Sequence, residues 1–265
     1  DLLYTDMLLL QKENITTPIT RKARENIYRT TIGKFKGSLI TTQNEDEKNS
    51  IIKAGCADPA IVHVTGSPRT DPLYNLNNNF SRKFNKGIDL SKKEKGKLIK
   101  NNYDVVFFSF SNITYLPVFI RKARWPKEFE STKIKPWSWN KLVSKYHSFV
   151  IDYASKNPNL EIALKLKQGS SIPKEISLKE KPKNLSIFST GEGAVLAANA
   201  KVVSAFNSTV IFEAMIAKVP IIVPAFAEAE VGSIEQKIGT LELGKSVKYA
   251  NDENHFNELI QYILD

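Results

Sequence analysis

Residues 201–226 read KVVSAFNSTVIFEAMIAKVPIIVPAF, two apolar runs with a short polar turn and a helical stretch between them. Both runs are rich in β-branched residues and nearly free of charge, which is typical of strands covered on both faces in a parallel sheet. Asn207, Ser208 and Thr209 follow the first run, and a helix is predicted from Ser208 to Ala217. The stretch therefore predicts a β-α-β unit.

The same alternation extends through the chain after residue 103. Further buried strands are predicted over 105–110, 160–167 and 185–190. A long helix between the first two is indicated by apolar residues that recur at helical spacing, namely Trp139, Leu142, Val143, Tyr146, Phe149, Val150, Tyr153 and Ala154. Shorter helices are predicted over 192–198 and 253–264. Strands alternating with helices predict an α/β fold: a Rossmann-like, doubly wound parallel sheet.

The first seventy residues show the same kind of pattern. Strands are predicted over 37–42 and 61–66, and a helix from Thr42 to Lys53 carries acidic residues in its first turn, where the helix dipole favours them. This length is too short for a complete α/β domain, so the missing part is expected upstream of Asp1. We predict a partial α/β domain over 1–72 and a complete one over 73–265.

The composition excludes several protein classes. The chain has 265 residues, of which 42% are hydrophobic and 25% are charged, and these values exclude a disordered or collagen-like chain. No apolar run approaches the roughly 18 residues of a membrane span. A single cysteine, Cys56, excludes a disulfide framework, and no metal site is expected. His147 is interpreted as a satisfied residue at the core boundary.

Two basic stretches carry the net charge of +10. Residues 81–100 hold eight basic and two acidic side chains, and residues 121–135 hold six and two. They connect apolar segments and are interpreted first as solvated linkers. The alternative is a surface that contacts anionic lipid or a phosphorylated carrier, because clustered lysines are attracted by such negative charge. The lysines are not interleaved with stacking aromatic residues, so no nucleic-acid partner is expected.

The turn at 207–209 is a candidate phosphate site. A strand that runs directly into a helix leaves free backbone N–H groups and the positive end of the helix dipole facing outward, beyond the strand ends where α/β sheets bind ligands. Glu213 follows within the helix and could accept hydrogen bonds from ribose hydroxyls. The structural alternative is that the three residues only cap the helix and that Glu213 is solvated or paired in a salt bridge.

Two motifs resemble the GT-B glycosyltransferases. Ser208-Thr209, Glu213-Ala214-Met215 and Val219-Pro220-Ile221-Ile222-Val223-Pro224 are similar to their donor-domain signature, although Lys218 stands where glycine is common. Val64-Thr65-Gly66-Ser67-Pro68-Arg69-Thr70-Asp71 resembles the element that joins the two domains in CDP-glycerol and capsule transferases and in sugar-nucleotide 2-epimerases. The resemblance covers about 37–265.

The resemblance implies where a nucleotide-sugar donor would bind. Residues 1–72 would belong to the acceptor-side domain and hinge, and residues 73–265 would form the donor-binding domain. The donor contacts it implies are Asn207, Ser208, Thr209, Glu213, Lys165, Lys167, Ser109, Ser111, Asn112, Ser189, Gly66 and Arg69. The candidate catalytic base is Asp6, unless the base lies upstream of the chain.

The function implied is transfer of a sugar from a nucleotide-activated donor to a surface polysaccharide or a lipid-linked glycan. The fold typically needs no metal and no cofactor beyond this substrate. The implied location is cytoplasmic. If the basic stretches contact anionic lipid, the protein would also lie peripherally on the inner face of the membrane. A 2-epimerase and a non-catalytic nucleotide-sugar-binding module remain alternatives.

We predict that the two basic stretches lie outside the donor site and bind anionic vesicles only at low salt. The Debye length falls from about 10 Å at 0.1 M salt to about 3 Å at 1 M, so added salt should release the chain. Vesicle sedimentation at both concentrations measures this. Binding that persists in high salt, or no binding at all, would rule out a membrane-binding role for the basic stretches and leave their interpretation as solvated linkers.

Overall fold

The computed structural model describes residues 28–29, 33–66, 103–114, 137–167, 169–191, 193–241 and 243–265. These residues form two compact units. The first holds the described residues up to Gly66 together with Thr240, Leu241 and Leu243, and the second holds the others. The predicted boundary between residues 72 and 73 and both basic stretches lie outside the described residues.

The first unit contains a parallel β-α-β arrangement, as predicted. Strand β1 (Ile40–Thr42) pairs with β2 (Val62–Val64), and helix α1 (Glu45–Lys53) connects them. The helix begins later than the predicted Thr42, because the Asn44 side chain accepts a hydrogen bond of 2.8 Å from the Glu47 N–H and so caps the first turn. The core of this unit contains the buried residues Tyr28, Ile51, Ala54, Cys56 and Val62.

The second unit alternates strands with helices. Its strands are β3 (Tyr103–Phe108), β4 (Ile162–Lys165), β5 (Leu185–Phe188), β6 (Ala200–Ser204), β7 (Ile221–Pro224) and β8 (Lys248–Ala250). Its helices are α2 (Asn140–Lys156), α3 (Lys174–Ser177), α4 (Gly193–Ala198), α5 (Val210–Ile216), α6 (Ile234–Gly239) and α7 (Glu253–Leu264). None of the helices in the described ranges combines the length and the apolar character that a bilayer span requires.

All six strands of this unit run parallel in the order β5-β4-β3-β6-β7-β8. In the middle, Val105 of β3 lies opposite Ile162 of β4 on one side and Val202 of β6 on the other. The chain therefore builds the sheet outward from β3 to β5, returns to β6, and builds outward again to β8. This reversal confirms the predicted doubly wound, Rossmann-like α/β fold.

Helices cover both faces of the sheet around β3. Phe107 faces α2 and α7, where its ring lies 6.0 Å from that of Tyr146 and 6.1 Å from that of Phe256. Phe108 points to the opposite face, as the period of two in a strand requires, and a Cβ added at Gly193 of α4 would lie 3.3 Å from its ring. Both phenylalanines are buried, so β3 is the centre of the core.

The elements that sequence patterns missed are short. Helix α3 spans four residues, α6 spans six, and the edge strand β8 spans three and exposes Lys248. The predicted strands and the helices α2, α4, α5 and α7 are confirmed, and the predicted strands of the second unit end earlier than expected. For example, β4 ends at Lys165 rather than at residue 167.

The turn between α5 and β7 forms without the glycine that the resembling family commonly has. Lys218 takes the left-handed conformation with φ of 58°, and the Val219 N–H donates to the Ala214 carbonyl at 2.9 Å, which closes the helix end. A residue with a Cβ pays roughly 1–2 kcal/mol for this conformation. The departure at Lys218 therefore strains the turn but does not abolish it.

We predict that Lys218→Gly stabilises the second unit. Removing the Cβ relieves the strain, and the greater freedom of glycine in the unfolded chain offsets part of the gain, which leaves a net increase of about 0.5–1 kcal/mol in the free energy of unfolding. Urea denaturation measures the change. Lys218→Ala is the matched control and should give no gain, because alanine keeps the Cβ; an equal gain from alanine would contradict this explanation.

Candidate functional site

The candidate site lies where the strand order reverses, between β3 and β6. In an open parallel sheet the loops that follow two such strands leave toward opposite faces, so a crevice forms at their carboxyl ends. Ser109, Ser111 and Asn112 follow β3, and Asn207, Ser208 and Thr209 follow β6. The topology therefore brings two of the predicted polar clusters to the same place on the sheet.

The turn after β6 is tight and is stabilised by a hydrogen bond to a residue 32 positions away in the chain. Asn207 is buried and left-handed, with φ of 47°, which asparagine tolerates better than most residues. Its side-chain Nδ2 donates to the Gly239 carbonyl at the end of α6, at 2.7 Å. This long-range hydrogen bond fixes the backbone that turns from β6 into α5.

Ser208 and Thr209 are half-buried at the start of α5. Among the described residues, the Ser208 Oγ accepts one long hydrogen bond of 3.4 Å, from the Val210 N–H, and the Thr209 side chain does not cap the helix. Helix capping therefore does not account for the side chains of Ser208 and Thr209. Their two hydroxyls stand at the crevice and make few contacts that stabilise the turn.

Glu213 is buried, with 5% of its surface exposed. It lies on the first turn of α5, whose backbone N–H groups carry partial positive charge. The structural alternative of a solvated carboxylate is therefore wrong for Glu213.

On the other side of the crevice, Ser109 is half-buried directly after β3. Its backbone N–H donates to the Lys165 carbonyl of β4 at 2.8 Å, which holds the residue at the sheet edge. Its Oγ lies 2.9 Å from Nε2 of His147 on α2. Ser109 is thereby fixed by both its backbone and its side chain.

His147 differs from its interpretation as a satisfied boundary residue. It is 1% exposed, and over the described residues its Nδ1 is buried without a hydrogen-bond partner. Burial disfavours the charged imidazolium and lowers the pKa of His147 to about 4, while the negative charge of Glu175 on α3 acts in the opposite direction. His147 is therefore neutral near pH 7.

The loop after β3 is joined to the start of α2 through Trp139. The Trp139 N–H donates to the Asn112 carbonyl and its Nε1 donates to the Thr114 carbonyl, both at 2.8 Å. The Ser111 backbone N–H and hydroxyl both lie 3.0 Å from the Thr114 Oγ1, and the Asn112 Nδ2 donates to the Asn140 side chain. Ser111 and Asn112 thus already take part in a local network that shapes the loop.

Aromatic rings form the floor beneath these polar groups. Phe110 follows Ser109, and its ring lies 4.9 Å from that of Phe206, two residues after the end of β6. Phe206 in turn makes an edge contact of 5.1 Å with Trp139. Tyr146 completes the floor, and its hydroxyl lies 3.1 Å from Oγ of Ser204, to which it donates. These rings are buried, so the polar groups at the rim stand on a rigid apolar base.

A further carboxylate, that of Glu228, caps the N-terminus of α2. Glu228, in a short 3₁₀ helix (Ala227–Ala229) after β7, accepts hydrogen bonds from the N–H groups of Lys141 at 2.9 Å and Leu142 at 2.8 Å. Ala227 beside it is left-handed, with φ of 53°. This cap fixes α2, and hence His147, relative to the end of β7.

The other predicted residues are more dispersed. Lys165 is buried and its ammonium donates to the Leu166 carbonyl at 2.9 Å, whereas Lys167 is exposed beyond the end of β4. Ser189 is half-buried after β5. Gly66 follows β2 in the first unit with φ of 76°. Asp6 and Arg69 lie outside the described residues. Within those residues, no group of three or more histidine, cysteine or carboxylate side chains could hold a metal ion.

Sequence analysis gave two residues of this region no role at the site. His147 falls on the apolar stripe of α2, at helical spacing between Val143 and Ala154, and this position could have indicated a buried histidine. Glu228 gave no such signal, because its partners are 86 and 87 residues away.

Comparison with known proteins gives similarity of structure only. No family profile matches the sequence, and no curated protein matches it. A UDP-GlcNAc 2-epimerase from Methanocaldococcus jannaschii, in complex with UDP-GlcNAc and UDP, is 16% identical, with a TM-score of 0.45 over 86% of this chain and 55% of that chain. The β-Kdo 2,4 transferase KpsC from Thermosulfurimonas dismutans is 11% identical, with a TM-score of 0.35 over 72% and 51%.

A third match is a glycotransferase of kitacinnamycin, which is 10% identical, with a TM-score of 0.40 over all of this chain and 59% of that chain. The chain thus spans little more than half the length of these three structures. All three TM-scores lie below 0.5, so the fold assignment above depends on the strand order and not on these matches.

We predict that the second unit loses stability as the pH falls from 7 to 5. The folded His147 stays neutral while the unfolded imidazole, with a pKa near 6.5, takes up a proton, so the unfolded state is stabilised and the free energy of unfolding falls by about 2 kcal/mol over this range. His147→Gln should flatten this part of the pH profile, measured by urea denaturation. The control is His255→Gln in α7, which should keep the slope; a slope unchanged by His147→Gln would contradict the prediction.

Proposed function

We propose that this chain is part of a GT-B-type glycosyltransferase that moves a sugar from a nucleotide-activated donor to a surface polysaccharide or a lipid-linked glycan. The observation that carries the proposal is the position of the Ser208-Thr209 turn. The motif that resembles the donor signature of these enzymes stands at the carboxyl end of β6, beside the strand-order reversal of a parallel sheet.

The proposed donor site uses the groups that border the crevice. Backbone N–H groups and hydroxyls at 208–209 would receive the diphosphate, with Ser109 across the crevice from them. Glu213 would accept hydrogen bonds from the ribose, and Lys165 would add positive charge near the end of β4. Ser111, Asn112, Lys167, Ser189, Gly66 and Arg69 remain proposed contacts by resemblance alone.

In the proposed reaction, an acceptor hydroxyl oxygen attacks the anomeric carbon of the donor sugar. The bond from that carbon to the phosphate oxygen breaks, and its electron pair leaves with the nucleotide. Backbone N–H groups and hydroxyls at 208–209 would stabilise the negative charge that develops on this oxygen. The hydroxyl proton passes to a base, for which Asp6 is the candidate. We propose that neither a metal nor a cofactor takes part.

We predict that the double variant Ser208→Val, Thr209→Val abolishes nucleotide binding, because valine removes both hydroxyls and fills the approach to the turn. Glu213→Gln, which keeps the buried shape, should weaken donor binding by about 1.5–3 kcal/mol, the loss of a hydrogen bond to a charged group. Calorimetry and thermal shift with UDP-, GDP-, CDP- and CMP-linked sugars provide the measurement.

The control variant is Ser155→Val, near the carboxyl end of α2 and so at the opposite edge of the sheet, where binding should not change. If no donor binds the wild-type chain, or if the double variant binds as well as wild type, the proposed site is wrong. Assays with the bound donor then separate the activities. Acceptor-dependent turnover supports a transferase, acceptor-independent conversion of the sugar indicates an epimerase, and binding without turnover indicates a binding module.

A further inference from the structure

Ser109 and His147 form a partly buried polar pair at the edge of the crevice. Ser109 is half-buried and can be reached from outside, whereas His147 is closed off beneath it. The oxygen–nitrogen distance of 2.9 Å is that of a good hydrogen bond. One of the two atoms must donate, and the donor decides what the serine hydroxyl can offer to a ligand.

The two nitrogens of a neutral imidazole are unequal, since one carries a proton and the other does not. If Nδ1 carried it, a buried N–H would be left without an acceptor, because Nδ1 has no partner among the described residues. The rings beside His147 belong to Phe110 and Tyr146, with centroids 6.3 Å and 5.7 Å away. Buried N–H groups without acceptors are rarer in proteins than acceptors that lack a donor. Glu175 acts on the ring through its charge, but no hydrogen bond joins the two residues within the described part of the chain. The contacts of the ring therefore favour the tautomer with the proton on Nε2.

With the proton on Nε2, His147 donates and the Ser109 oxygen accepts. The hydroxyl proton of Ser109 then has no partner within the pair and is directed away from His147. A hydroxyl arranged in this way donates best to an anionic oxygen, because such hydrogen bonds are the stronger kind. The opposite arrangement, in which Nε2 accepts the serine proton, is the one that a serine nucleophile requires, and it also requires an acceptor for the Nδ1 proton.

We propose that His147 is a positioning residue that turns the Ser109 hydroxyl into a fixed hydrogen-bond donor for a phosphate oxygen of the ligand. This inference rests on the proposed function and names a role within that site. Ser109 makes the contact, and His147 acts only through it. The pair thereby serves ligand binding and not nucleophilic attack.

The first test needs no ligand. Nitrogen-15 NMR of the imidazole of His147, assigned by comparison with His147→Gln, reports which ring nitrogen carries the proton. We expect protonated Nε2 and bare Nδ1 near pH 7. The opposite tautomer would overturn the proposal, whatever the chain binds.

The second test measures affinity by calorimetry, with UDP, GDP or CDP, whichever binds wild type most tightly, and with the matching nucleoside. Ser109→Ala should weaken diphosphate binding about 10- to 150-fold, the loss of one hydrogen bond to a charged group, and leave nucleoside binding unchanged. His147→Leu should weaken it by a smaller factor, and the double variant should match Ser109→Ala alone. His147→Gln, whose amide can donate from a similar position, should restore most of the affinity that His147→Leu loses.

The proposal fails if His147→Leu binds the diphosphate like wild type, or if its effect is undiminished when Ser109 is already alanine. Should His147→Leu not fold, His147→Gln and the tautomer still decide, since a glutamine variant with the affinity of Ser109→Ala would contradict the donor role. If none of the three nucleotides binds wild type, the proposed function fails, while the tautomer still tests the geometry of the pair.

Discussion

The burial of β3 on both faces is the constraint from which the rest of the second unit follows. Phe107 packs against α2 and α7, and Phe108 packs on the opposite face near α4, so helices must cover both sides of the sheet. Their order along the chain then forces the sheet to grow from β3 in two directions. The reversal between β3 and β6 is thus a consequence of packing, and the crevice at their carboxyl ends is a consequence of the reversal.

Burial also explains why the polar groups gather where they do. The middle of β3 is filled by the buried apolar side chains of Val105, Val106 and Phe107, and the buried polar residues of the neighbouring strands, Ser204 and Lys165, stand at the carboxyl ends of those strands. At the strand ends, the Asn207 side chain binds the end of α6, and the Glu228 carboxylate caps the start of α2. These hydrogen bonds hold the backbone of the turns, so the hydroxyls of Ser208, Thr209 and Ser109 remain at the rim.

Sequence patterns predicted the elements whose signal is local. The long helix α2 repeats apolar residues along 17 positions and ends at Asn157-Pro158, and each predicted strand of the second unit is a compact apolar run. They missed β8, because three residues with an exposed lysine give no period. They also missed every contact between distant residues, such as the capping of α2 by Glu228. A local pattern records that a helix begins, but it does not record which carboxylate satisfies its first N–H groups.

The same limit explains His147. Its place on the apolar stripe of α2 is visible in the sequence, but whether its two nitrogens find partners depends on the loop after β3, which lies 38 residues away in the chain at Ser109. The structure satisfies one nitrogen, through Ser109, and leaves the other buried without a hydrogen-bond partner among the described residues. An unpaired buried nitrogen costs stability, and packing alone would favour an apolar residue of similar size. The proposed role of the other nitrogen, which orients Ser109 at the rim of the crevice, explains why a destabilising residue occupies this position in the core.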